Sequence, residues 1–193
     1  MLSLILMTLI GATAADTADR GVSEALARER AAAIGALRYE LAFTVPADRR
    51  QPVPGHALLR FALKTPHRIV LDLAEPRDRV RSIRVNGTAV TPIYVEDHAI
   101  VPEDATRAGE NEITIEFTAG DAALNRNDDF LYTLFVPARA HLTFPCFDQP
   151  DLKARYTLSL DVPTGWETVA NAPEVKREEI GRASCRERVC QYV

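Results

Sequence analysis

Residues 144–158 read FPCFDQPDLKARYTL and gather a thiol, two carboxylates and an amine within a few positions. Cys146 is a candidate nucleophile. A catalytic thiol needs a neighbouring base and a depressed pKa; Phe144, Pro145 and Phe147 instead surround this one with the setting of a packed, inert thiol. Asp148 and Asp151, with Lys153 nearby, could form an acid–base pair. They lie, however, in a Phe-Asp-Gln-Pro-Asp turn that leads into a strand, where aspartates accept backbone N–H bonds and fix the loop. The residue types therefore favour a structural role for Phe144, Pro145, Cys146, Phe147, Asp148, Gln149 and Pro150.

Metal chemistry has no local basis. His56, His67, His98 and His141 are dispersed, and none has another histidine three or four residues away. A pair of zinc ligands on one helix face cannot be assembled from them. Set among strands, they are expected at the surface or in turns. The nine glycines are scattered rather than gathered into a phosphate-cradling loop. With 23 basic and 27 acidic side chains the net charge is -4, which leaves no basic patch for phosphates and excludes nucleic acid as a partner.

The elements that would position these residues come mainly from a period of two. Leu37, Tyr39, Leu41, Phe43 and Val45 alternate with polar or small neighbours, as in a strand with one wet face. Ala57 to Leu63 alternate after a Pro54-Gly55 turn. Strands are expected at 68–73, 80–85, 93–101, 113–117 and 156–162, and another beginning at Trp166 and running to Ala170. Such spacing, with Asn86-Gly87 among its turns, describes an antiparallel all-β domain, a sandwich or open barrel, of one domain's length. One helix precedes it. Asp19 to Ile34 is alanine-rich, Ser23 can cap it and Gly35 can end it; it is expected to lead in without joining the core.

Both ends carry separate signals. Leu2 to Ile10 is almost wholly apolar and too short to span a bilayer, and Ala12-Thr13-Ala14 supplies a small-x-small cleavage pattern. Residues 1–14 are read as a signal peptide and 15–35 as a helical lead-in, which places the mature chain in the periplasm or outside the cell; a buried N-terminal helix is the rival reading. Residues 180–193 contain Cys185 and Cys190 without an apolar period. They resemble a translated sequencing adapter, with a disulfide or half of a metal site as the alternative.

Phe144 to Pro150, followed by Lys153-Ala154 and a strand, resembles the N-terminal β-domain of aminopeptidase N-type zinc metallopeptidases, whose usual form is Phe-Pro-Cys-Phe-Asp-Glu-Pro. The likeness runs from about Leu37 to Asn171 and includes Arg38-Tyr39, Leu71-Asp72-Leu73 and the strand Glu112 to Phe117. The resemblance implies a saddle-like β-domain over 36–179, left incomplete, and packed on a catalytic domain of the same parent chain. That partner would carry the zinc ligands and bind the peptide's free amine. None of its motifs occurs here, so the chain is expected to be an inactive fragment without a cofactor of its own, while the parent uses zinc.

One departure from the family concerns the peptide substrate. Where many relatives read Thr-Gln-Phe-Glu-Pro, this chain reads Thr133-Leu134-Phe135-Val136-Pro137. By resemblance, Leu134 and Val136 stand at a substrate lip and offer apolar contact in place of two polar partners. The competing expectation makes them ordinary strand core. A function of a different class also stays open, an exported β-sandwich that binds glycan or protein.

Overall fold

Ser23 accepts a hydrogen bond from the Leu26 backbone N–H and caps α1, Glu24–Ala33. The structure, a computed structural model, describes residues 21–179 and 184–192. The expected signal peptide at 1–14 lies outside the described residues. The helix is shorter than the sequence suggests. Ile34 already has extended dihedrals (φ -97°, ψ 127°), and β1, Ile34–Thr44, follows without a loop. Gly35 therefore does not stop the helix. Ala36 is left-handed (φ 52°), and the register shifts between Gly35 and Arg38, an irregularity that absorbs the change from helix to strand.

The remaining strands are β2 Pro54–Leu63, β3 Ile69–Asp72, β4 Val80–Val85, β5 Thr88–Ala89, β6 Ile93–Val95, β7 His98–Val101, β8 Gly109–Thr118, β9 Leu124–Arg126, β10 Leu131–Thr133, β11 Arg155–Pro163, β12 Glu174–Glu179 and β13 Ser184–Tyr192. Among the described residues they form an open eight-stranded sheet in the order β12-β13-β11-β1-β2-β8-β4-β5. A three-stranded sheet, β3-β7-β6, and the ribbon β10-β9 complete the set. The protein is an all-β sandwich whose sheets do not close into a barrel.

The period-two pattern sets the core. Leu37, Tyr39 and Leu41 of β1, Leu59 and Phe61 of β2, and Ile113, Ile115 and Phe117 of β8 turn one face inward. Ile69 and Leu71 of β3, with Ala99 and Val101 of β7, meet them from the small sheet. The outer face of that small sheet is covered too. Val70 and Ile100 pack with Leu26 of α1, so β3 and β7 are buried on both faces. The helix thus belongs to the folded body, contrary to the lead-in expected.

Three further expectations change. The sheet is not wholly antiparallel: β1 pairs with β11 in parallel, Tyr39 opposite Tyr156 and Leu41 opposite Leu158. The chain between these strands crosses the whole domain, so no hairpin dictates their sense. Residues 93–101 form a hairpin of two strands, β6 and β7, turned at Glu96 (φ 49°). Residues 166–170 make no strand; Trp166 N–H closes a turn onto Pro163, and Val169 is 96% exposed with no sheet face to cover. Residues 184–192, within the segment read as adapter-like, run as β13 between β11 and β12.

Gly120 marks the tightest crossing. Its N–H donates to Thr143 O at 3.2 Å, and an added Cβ would overlap the Leu142 carbonyl oxygen and the Glu75 carboxylate. The carbonyl belongs to backbone and cannot swing aside. Gly120→Ala should therefore cost about 1–3 kcal/mol, seen as a lower urea midpoint. An unchanged midpoint would show that the two segments separate freely.

Candidate functional site

The segment 130–139 stands out from the domain surface. Leu134 is 48% exposed and Val136 is 74% exposed, so neither is strand core. Phe135 between them turns inward, its ring edge-on to Phe144 at 5.6 Å. Two apolar side chains thus face outward and one anchors inward, a lip seated on a packed base where the chain enters the turn at 136–139. Leu134 N–H bonds Ala123 O at 3.1 Å, and Arg139 N–H bonds Phe135 O at 2.9 Å. The Val136–Pro137 peptide is cis. Phe130 and Tyr132 stack at 6.3 Å upstream and are likewise exposed.

Beneath the lip lies the loop 144–150. Cys146 and Asp72 exchange backbone hydrogen bonds at 2.8 and 3.1 Å, so the loop adds an isolated antiparallel bridge to β3. Pro145, Cys146 and Phe147 are buried, while Pro150 is exposed. Phe144 meets Phe43 of β1 edge-on, and Phe147 meets Phe61 of β2. The Phe147 N–H donates to the Tyr39 hydroxyl at 2.9 Å. Asp148 accepts from His141, and Asp151 accepts from the Gln149 amide at 3.0 Å. Gln149 also donates to Ala27 O of α1 at 3.1 Å.

Charge concentrates at Asp72, at the end of β3. Arg30 grips its carboxylate with both terminal nitrogens, at 2.8 and 2.5 Å, and donates to Val70 O at 2.7 Å. His98 Nδ1 lies 2.9 Å from the same carboxylate, and Asp148 N–H donates to it at 2.7 Å. Arg30 also sits over the Phe147 ring, 5.3 Å from its centre. Burial alone would raise the Asp72 carboxyl; the hydrogen bonds from His98 and Arg30, the Arg30 charge and the Asp148 N–H outweigh it and hold the group below its ordinary value. Burial pushes the Cys146 thiol well up, helped by Asp148 and Asp72, so it stays protonated at neutral pH.

The four histidines each meet a different carboxylate. His56 lies 3.7 Å from Glu116, His67 3.0 Å from Glu29, His98 2.9 Å from Asp72 and His141 2.7 Å from Asp148. Among the described residues, no three His, Cys, Asp or Glu side chains converge to hold a metal ion. The donor sets here do not fit zinc. His98 departs from the expected surface or turn position: it is 1% exposed, on the helix-covered face of β7.

Residues 81–185, more than half of the chain, match the sequence model of the peptidase M1 N-terminal domain. The chain belongs to that family. It is 32% identical over 130 residues to a probable M1 family aminopeptidase 1 of Encephalitozoon cuniculi, covering 58% of this chain and 15% of that one. It is 26% identical over 134 residues to aminopeptidase N of Streptomyces lividans, covering 64% of this chain and 15% of that one. The crystal structure of an M1 zinc metallopeptidase from Deinococcus radiodurans superposes with TM-score 0.66 at 22% identity, over 82% of this chain and 39% of that one. The M1 N-terminal domain described here thus spans a small part of the length of these curated relatives.

Sequence reasoning singled out the loop 144–150 and the positions Leu134 and Val136, missed Arg30 and the burial of His98, and gave Asp72 no role beyond its place in the matching Leu-Asp-Leu. The signal was present for two of them. Asp72 lies within the apolar run Ile69 to Leu73 and His98 opens the run Ala99 to Val101 after the Glu96-Asp97 turn, and a polar group in a strand buried on both faces needs a partner. Nothing marked Arg30, one arginine among several on an alanine-rich helix.

Asp72→Asn should destabilise this M1 N-terminal domain by about 3–5 kcal/mol, because the Arg30 charge stays buried without its counter-charge. The pH dependence has a definite sign. A depressed carboxyl pKa gives stability that is present above the unfolded value near 3.9 and lost as pH falls below it. Urea unfolding between pH 6 and 3 should show that component in the wild type and lack it in Asp72→Asn. Equal acid sensitivity of both would remove Asp72 as its source.

Proposed function

We propose that this chain is the N-terminal β-domain of an exported zinc aminopeptidase and forms part of the mouth of its peptide cleft. Membership of the M1 N-terminal domain family, and relatives named as aminopeptidases, support the parent activity. The observation that carries the cleft role is the exposure of Leu134 and Val136 on a lip braced by Phe135 and Phe144. Phe130 and Tyr132, stacked and exposed just upstream, extend the apolar surface that such a contact would cover.

In this reading, the catalytic domain of the same parent chain holds the zinc and activates water for attack on the peptide carbonyl. Among the described residues, no cluster of three His, Cys, Asp or Glu side chains offers this domain a share in that metal site. Its lip offers hydrocarbon to the first side chain of the peptide, and the ammonium group is held elsewhere because neither Leu134 nor Val136 can accept a hydrogen bond through its side chain. Export rests on the apolar Leu2–Ile10 run and the Ala12-Thr13-Ala14 pattern. Amino-terminal sequencing of the secreted protein should begin at Ala15, and an intact Met1 would remove that part.

Leu134→Gln combined with Val136→Glu in the full-length enzyme should raise KM by roughly tenfold or more for peptides with apolar first residues, the lower end of what loss of an apolar pocket contact costs. The kcat should move less. Equal KM and side-chain preference in both enzymes would take the lip away from the substrate.

A further inference from the structure

Just past the lip, a titratable contact ties the chain to the loop 144–150. After Arg139 the chain makes a short 3-10 turn at Ala140–Leu142. His141 in that turn gives two hydrogen bonds to one oxygen, Asp148 Oδ2: its backbone N–H at 3.2 Å and ring Nδ1 at 2.7 Å. Its carbonyl accepts from Ala74 N–H at 3.0 Å. Asp148 is in turn fixed by its own N–H to Asp72. Beside the Phe135–Phe144 ring contact, a second connection therefore leads from the buried Arg30–Asp72 pair through Asp148 to His141, two residues past the end of the lip segment.

We propose that His141 and Asp148 form a protonation-sensitive clasp that sets the pose of the Leu134–Val136 lip. His141 is a positioning residue. The proposal rests on the reading of that lip as part of the cleft only where it concerns catalysis.

The charged surroundings all favour the imidazolium. Asp148 in the loop, Asp72 from β3 and Asp97 from the β6–β7 turn raise the His141 pKa, the Asp148 hydrogen bond most, with burial opposing. The cations in reach look elsewhere. Arg139 Nη2 donates to Ala122 O at 2.7 Å, Arg30 is taken by Asp72, and Arg79 pairs with Glu75 at 3.1 Å. With the ring charged, the bond to Asp148 is charge-assisted and about twice as strong as a neutral one. A neutral ring with its proton on Nδ1 keeps only the weaker bond. Because the folded pKa is raised, the clasp is tight below an ordinary histidine value near 6.5 and loosens as pH rises through the folded one.

The test follows His141 ring, Leu134 methyl and Val136 methyl resonances in the 193-residue chain from pH 5 to 9. All three should share one midpoint, above about 6.5. Protection of the Leu134 and Arg139 amides should fall on the order of fivefold across it. His141→Asn puts an amide donor where Nδ1 stands and cannot titrate, so its methyl resonances should be independent of pH. Wild-type methyl resonances that ignore the His141 midpoint overturn the clasp, whether or not the variant folds. In the full-length enzyme, KM should rise with pH while kcat stays level, and His141→Asn should flatten that profile. Methyl resonances that track His141 beside a KM profile unaffected by His141→Asn would uphold the clasp and count against the cleft reading, so the two failures are distinct.

Discussion

A carboxylate at the end of β3 holds this domain together. Asp72 is almost wholly enclosed, and so is Arg30, which grips it from α1. Taking both charges out of water costs several kcal/mol each, and their attraction offsets that cost only with good geometry and further hydrogen bonds. Those bonds come from His98 on β7 and the backbone of Asp148 in the loop. Four separate parts of the chain must therefore arrive together. The pair contributes little net stability as such, but every arrangement that separates its members leaves a buried charge unpaired. That penalty selects one pose of helix, small sheet and loop.

The same constraint explains why the stretch rich in reactive groups is inert. Cys146 is committed through its backbone to β3 and through burial to the neutral thiol. Asp148 spends its N–H on Asp72 and one oxygen on His141. Gln149 reaches back to Ala27 on the helix, a bond that an amide can donate and a carboxylate cannot. What remains outward is the apolar lip of Leu134 and Val136, standing on the edge-to-face pair of Phe135 and Phe144. A firm base under exposed hydrocarbon suits a surface that meets a partner, because little ordering is left to do on contact.

Much of this was legible along the chain because the side chains of strands alternate. Leu37, Tyr39 and Leu41, or Leu59 and Phe61, announce one buried face by spacing alone. Ser23 announced a helix start by its type. The loop 144–150 was readable as structural from the crowding of proline and aromatic residues about Cys146. Less was legible where pairing depends on the rest of the fold. The parallel match of β1 with β11 joins segments separated by more than a hundred residues, and neither strand carries a mark of its direction. The lip is an unbroken apolar run, Leu134-Phe135-Val136, as in a strand buried on both faces, so its exposure could not be told from its pattern.

By itself, the sequence determined which segments extend, which faces are apolar and that the loop 144–150 is crowded with side chains suited to packing. These follow from local sterics and from the cost of leaving hydrocarbon in water, which act on each short segment alike. Only the tertiary structure decided that α1 covers the small sheet, that Arg30 is the partner of Asp72, and that His141 meets Asp148. The Arg30–Asp72 match, which fixes the helix on the sheet, sets a charge against an opposite charge 42 residues away along the chain. The free energy of such a match depends on the distance and dryness between the two groups, and neither quantity exists until the chain has folded.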